Sequence, residues 1–299
     1  MSGGVRDVTV ADERTTEAPA GGTTGRAGKR PPVEPSRFSL KHPRSRIAWV
    51  RPAVWLPLVV MLALLGGLWH WGAEQLPYLL PPLSDVGSSL SDQLGYYVHN
   101  ALVTLGEATA GLGMGFVGAF VLAVLTSELP LVRRAVMPIA VVLNVTPLVA
   151  IAPALVVAFG FGPMPKLIIT GLICFFPILI NTATGLRSVP QQVLQVYRTM
   201  DASRVELLWH VRVPHALPYL FAALRIVFPL SIIGAVVAEM SASGSTGGLG
   251  TAISVASSMN QLPVVYASIL VLAVMGVLLL LAVTLVERRV LHWHDSVQE

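Results

Sequence analysis

Six long apolar stretches divide this chain, near residues 53–72, 99–126, 135–160, 166–186, 218–240 and 263–286. About 20 mainly apolar residues, coiled as a helix, cross a bilayer core. The pattern therefore predicts an all-α polytopic membrane protein with about six transmembrane helices, occupying residues 51–290. Charged residues make up 12% of the chain, roughly half of the ~25% usual in soluble domains. The basic balance, 20 Lys and Arg against 16 Asp and Glu, reads as charge kept on one side of a membrane rather than as a nucleic-acid footprint. The single cysteine, Cys174, lies in an apolar run, which leaves neither a disulfide framework nor a cysteine metal site.

Charge also sets the expected topology. Residues 1–50 are polar and basic, a disordered cytoplasmic tail by composition, followed by an uncleaved first span. With the N-terminus inside, Arg133, Arg134, Arg187, Arg198, Arg204, Arg212, Arg288 and Arg289 also lie inside, and Arg225 lies near the inner face. Only Lys166, in a short outer turn from Gly160, falls outside. Both termini, including the 291–299 tail, are expected in the cytoplasm. The third stretch carries Pro138, Pro147 and Pro153 and the fourth Pro177, tolerable where neighbouring helices re-satisfy the freed carbonyls. Gly111 and Gly115 form a GxxxG spacing that lets another helix approach closely.

Between the fourth and fifth stretches lies a polar interval, 188–217. Ser188 and Gln191 suggest a capping box, with Pro190 in the first turn. Val193, Val196, Tyr197 and Met200 then recur at helical spacing on one apolar face. Asp201-Ala202 makes a turn, and Ser203 with Glu206 makes a second capping box. Val205, Leu208 and Trp209 give the second helix an apolar face, with the helix expected to end before Pro214. Two short amphipathic helices so joined suit the membrane interface or the groove of a partner.

The run from Gln195 to Pro214, continued by Ala223-Leu224-Arg225, Val237-Ala238-Glu239-Met240 and Gly247-Gly248-Leu249-Gly250, resembles the inner-membrane permease subunits of bacterial ABC importers. The resemblance covers about residues 77 to 290. The family signature has Glu-Ala-Ala, a Gly four residues on, then Ile or Val and Pro. Here Gln195-Val196-Tyr197, Asp201 and Val213-Pro214 stand at those places; Asp tolerates the left-handed turn better than most residues. The stretch from Thr146 to Leu186 resembles the branch for nitrate, sulfonates and taurine, and the one for thiamine pyrimidine precursors and riboflavin-like heterocycles. The resemblance implies a type I ABC importer permease fold whose cytoplasmic coupling hairpin seats in an ATPase subunit. The coupling residues it implies are Gln195, Tyr197, Arg198, Met200, Asp201, Ala202, Arg204, Leu208 and Pro214. The partners it implies are a second permease copy in a homodimer, two ATP-binding subunits, an extracytoplasmic solute-binding protein and membrane lipid. ATP and magnesium would belong to the partner, with no cofactor and no catalytic residue in this chain.

Polar residues within the spans are candidates for a path or gate: Glu107, Asn144, Thr146, Phe176, Asn181 and Glu239. Each has a plainer alternative. Glu107 could pair with a cation, Asn144, Thr146 and Asn181 could bond between helices, Phe176 could pack, and Glu239 could lie at the interface. Arg225 could brace the hairpin or snorkel. The glycines from Gly244 to Gly250 suit a re-entrant turn, since no Lys-Ser/Thr follows at phosphate-loop spacing. His292-Trp293-His294 suits interfacial anchoring over metal binding. An ion-coupled secondary carrier is the alternative function, but no internal repeat supports it. An intramembrane enzyme lacks a catalytic or metal motif.

Overall fold

The computed structural model describes residues 52–242 and 247–291. The expected tails at 1–50 and 292–299, the His292–His294 motif and Gly244 lie outside the described residues. Every described element is helical: α1 Pro52–Gln75, α2 Leu83–Asp92, α3 Leu94–Glu128, α4 Pro130–Val145, α5 Ala152–Phe159, α6 Pro163–Gly185, α7 Gln191–Thr199, α8 Arg204–Leu207, α9 Val213–Ser241, α10 Leu249–Ser258 and α11 Leu262–Val290. Five unbroken helices among the described residues are long and apolar enough to cross a bilayer. α3 has 35 residues, about 52 Å at helical rise, so it extends beyond the ~30 Å hydrocarbon core.

The third apolar stretch is not one helix. α4 stops at Val145, Thr146 turns extended (ψ 134°) and one 3-10 turn spans Leu148–Ile151 before α5 begins. Pro147 forces the residue before it out of the helical region, and Pro153 sits in the first turn of α5, where a missing N–H costs little. A stop proline and a start proline six residues apart leave no room for a continuous span. Pro138 and Pro177 remain inside α4 and α6.

The core is built on α3, α6 and α9. The buried face of α3 carries small residues: Thr104, Ala108, Gly111, Gly115, Ala119, Ala123 and Thr126. Gly115 lies directly on the Gly171 backbone, and a Cβ on Gly111 would stand 2.6 Å from the Thr170 Cβ. Lipid supplies no hydrophobic drive for helix pairing, so close approach over small residues supplies it instead. The GxxxG pair is thus the contact line of α3 on α6. Around Cys174, Ile178, Leu179 and Val227 the three helices close an apolar core. α11 packs on α9 and α10 and exposes Leu278 and Leu285 outward. α1 meets the bundle through Trp69, whose indole donates to the Pro81 carbonyl and stands edge-on to Tyr266.

Candidate functional site

Two polar constructions lie at opposite ends of the long helices: the hairpin between α6 and α9, and a cluster where α3, α6, α9 and α10 meet.

The hairpin is locked by local chemistry. Asp201 takes φ 56°. Ala202 N–H reaches back to the Tyr197 carbonyl at 3.2 Å and Asp201 N–H to the Arg198 carbonyl at 3.2 Å. This double bond pattern ends α7 in a left-handed cap, with Asp201 where a glycine is commonest. The Ser203–Glu206 capping box forms in both directions: Ser203 N–H donates to Glu206 at 2.8 Å and Glu206 N–H to the Ser203 hydroxyl at 3.3 Å. The Ser188–Gln191 box does not form. Pro190 takes the cap position of α7, and Ser188 turns its hydroxyl back to the Gly185 carbonyl at 2.8 Å, closing the end of α6 instead.

The second hairpin helix also does not end before Pro214. α8 passes through a π turn at Leu208–Arg212 into α9, one continuous helix of 38 residues. The wider turn is bonded from Val213 N–H to the Leu208 carbonyl, and its register accommodates Pro214, which has no N–H to give. The hairpin's own core is Val189, Leu194 and Leu207 with Val211. The apolar residues read at helical spacing point outward: Val196, Met200, Val205 and Trp209 are 58%, 73%, 65% and 56% exposed. Gln195, Tyr197, Arg198, Asp201, Arg204 and Pro214 are exposed as well, Ala202 is half-buried, and Leu208 is half-buried against the main core. Arg212 bonds Glu128 at 2.5 Å and ties the hairpin to the end of α3. Nearby, Arg225 bonds Glu287 at 2.5 Å and links α9 to α11.

At the other end Lys166 is not in a turn. It lies in the first turn of α6, fully buried, and its ammonium donates to Glu107 at 2.7 Å. The second oxygen of Glu107 and one oxygen of Glu239 are buried without a donor among the described residues, and the two carboxyls lie side by side. The other Glu239 oxygen accepts from Gly250 N–H at 2.5 Å, Asn100 Oδ1 accepts from Gly248 N–H at 2.9 Å, and Thr104 Oγ1 accepts from Leu249 N–H at 2.8 Å. These are first-turn donors of α10, orphans in any helix. Three side chains from α3 and α9 cap them. Gly248 has φ 114° and abuts the Glu239 carboxyl, so no side chain fits there. The glycine run serves a close approach of backbone to carboxylate. Asn100 and Thr104 were not singled out from sequence, yet Asn100, Thr104 and Glu107 recur at i, i+4 and i+7 on an apolar helix, which is a readable polar stripe.

Of the other path candidates, Phe176 is 6% exposed in the core, edge-on to Phe175. Asn181 is half-buried and donates to the Pro177 carbonyl. Asn144 is exposed at the end of α4 and half-buried Thr146 bonds the Val142 carbonyl.

Residues 108–292 match the family model described as binding-protein-dependent transport system inner membrane component. The chain is 33% identical to the formylaminopyrimidine transport permease protein ThiX of Halalkalibacterium halodurans over 77% of this chain and 92% of that one. It is 31% identical to the riboflavin transport system permease protein RibX of Chloroflexus aurantiacus, over 84% and 93%. It is 28% identical to the putative aliphatic sulfonates transport permease protein SsuC of Bacillus subtilis, over 90% and 97%. A chain of the inward-facing MetNI methionine ABC transporter shares the fold, with a TM-score of 0.57 at 20% identity over 64% of this chain and 95% of that one. Fold, family match and relatives agree: the chain belongs to the inner-membrane components of binding-protein-dependent transport systems, the permease subunits of ABC importers.

Proposed function

We propose that this permease forms, as a homodimer, the path of an ATP-driven importer for a small organic solute, and that residues 188–217 transmit the work of a separate ATPase. The observation that carries the coupling role is the hairpin's build. Its inside is tied down by Leu194, Leu207 and the Arg212–Glu128 bond. Its outside presents Val196, Met200, Val205 and Trp209 between Arg198 and Arg204. An apolar, cation-rimmed helical tip on a rigid base fits helix-in-groove recognition. The π turn joins that tip to α9 without a break, so displacement at the hairpin is displacement of a membrane helix.

The clustering of Arg133, Arg187, Arg198, Arg204 and Arg212 at the hairpin end supports an orientation with that end, and both termini, in the cytoplasm. The opposite end then faces the solute-binding protein. ThiX, RibX and SsuC are named for formylaminopyrimidine, riboflavin and aliphatic sulfonates. The substrate we assign is a small heterocycle of the first two kinds, because those relatives exceed 30% identity over most of both chains; a sulfonate is the second reading. The test is uptake in vesicles holding the permease, its ATPase and its binding protein. Trp209→Asp is expected to abolish ATP-dependent uptake while the permease stays folded. Uptake driven by an ion gradient without ATP would overturn the reading.

A further inference from the structure

Behind the hairpin lies a cavity of about 280 Å3 whose polar lining is Ser127, Arg133, Arg187, Gln191 and Arg212, with Leu186, Val189 and Leu194 as its apolar wall. Three arginines converge there from three separate places: the α3–α4 junction, the end of α6 and the π turn. One guanidinium nitrogen of Arg187, Nη1, is buried and has no acceptor among the described residues, while its Nε donates to the Ala183 carbonyl at 2.9 Å. Burial, and then the charge of Arg133, push the Arg187 pKa down. Of these three arginines, only Arg212 has a carboxylate partner among the described residues, that of Glu128. A buried guanidinium donor left unpaired beside a second cation is costly, and an anion seated between them would offset both terms. The first N–H groups of α7 begin at Gln191 on the same wall.

We propose that this recess binds a phosphate group, and that the phosphate is the headgroup of an anionic phospholipid. Guanidinium forks match phosphate oxygens in pairs. The lipid source follows from what adjoins the recess. Arg133 also lines a second, larger and more open recess with Pro130, Arg134, Met137 and Pro138, and α4 exposes Leu131 at 80% and Ile139 at 59%. A headgroup in the first recess would have an apolar flank beside it for its acyl chains. A free phosphate would use the arginines alone. Because α7 and the π turn both wall the site, an occupied recess would brace the base of the hairpin.

The experiment uses the full-length permease purified with its ATPase partner in neutral detergent. Binding of phosphatidylglycerol, phosphatidylcholine and inorganic phosphate is measured by native mass spectrometry and by the shift in melting temperature. Phosphatidylglycerol is expected to bind and raise the melting temperature, with little effect from the other two. Each lost charged contact weakens binding about tenfold, so Arg133→Gln with Arg187→Gln should remove it. Arg288→Gln, which removes one positive charge at the exposed end of α11, should change it less than twofold, against about tenfold for Arg187→Gln alone. Arg187→Lys, which keeps the charge without the fork, should retain part of the binding and shows that the site folds. Unchanged phosphatidylglycerol binding in the double variant overturns the proposal. Inorganic phosphate matching the lipid overturns the lipid source. Loss of the ATPase subunit from the double variant, with lipid binding intact, would assign the arginines to that subunit and equally end the proposal.

Discussion

Replacing Lys166 with Met removes the cation from the buried cluster and leaves two carboxyls facing each other. Lys166 is fully buried and the Glu107 side chain is 11% exposed, so solvent does little to screen the change. Removing one partner of a buried ion pair costs about 3–5 kcal/mol, whereas neutralising both partners is far milder. At about 2–4 °C per kcal/mol for a chain of this size, the single variant should melt on the order of 10 °C lower. Glu107→Gln alone should be destabilising too, since it strands the ammonium. The double variant Lys166→Met/Glu107→Gln should recover about 2–3 kcal/mol relative to the sum of the singles.

The assay is thermal melting of the purified permease in lipid nanodiscs, run as a double-mutant cycle. A third substitution sharpens it. Glu239→Gln keeps an oxygen for the Gly250 N–H and takes away charge beside Glu107. It should be nearly neutral in the native chain and should partly rescue Lys166→Met. Additive effects of Lys166→Met and Glu107→Gln, or further loss on adding Glu239→Gln to Lys166→Met, would refute the reasoning.

Two further predictions come from backbone geometry. Gly115→Ala should lower the melting temperature by several degrees, because its Cβ would fall on the Gly171 backbone; Gly113→Ala has open space and should be neutral or gain up to about 1 kcal/mol of helix propensity. At the hairpin, Asp201→Gly should leave stability unchanged or slightly raised and Asp201→Val should lower it by about 1–2 kcal/mol, since φ 56° is strained for a β-branched side chain; the rate of limited proteolysis within 195–206 reports the difference.

What sequence made legible here is what depends on neighbours along the chain. The Ser203–Glu206 box, the left-handed Asp201 and the Gly111–Gly115 contact line all follow from spacings of four residues or fewer. The same kind of reasoning misplaced Ser188, because its hydroxyl can either accept from the N–H groups of the helix ahead or donate to a carbonyl behind, and here it donates to the Gly185 carbonyl, three residues back. It also merged α4 and α5, since three prolines look alike until the fold shows which ones stay helical. The coarse family and fold were within reach; the ion pairs were not. Glu107–Lys166, Glu128–Arg212 and Arg225–Glu287 join residues 59, 84 and 62 positions apart, and only the rotation of packed helices decides such partners. That rotation separates the two ends of the molecule by kind. At one end Lys166 and Glu107 hold helix to helix and Glu239 caps α10, all three buried or nearly so. At the other end, most of the arginines are exposed or half-buried around recesses and an apolar tip. The coupling role proposed for the hairpin rests on that difference: the apolar tip of Val196, Met200, Val205 and Trp209 is exposed and so is open to a partner, whereas the buried cluster is enclosed by the permease's own helices.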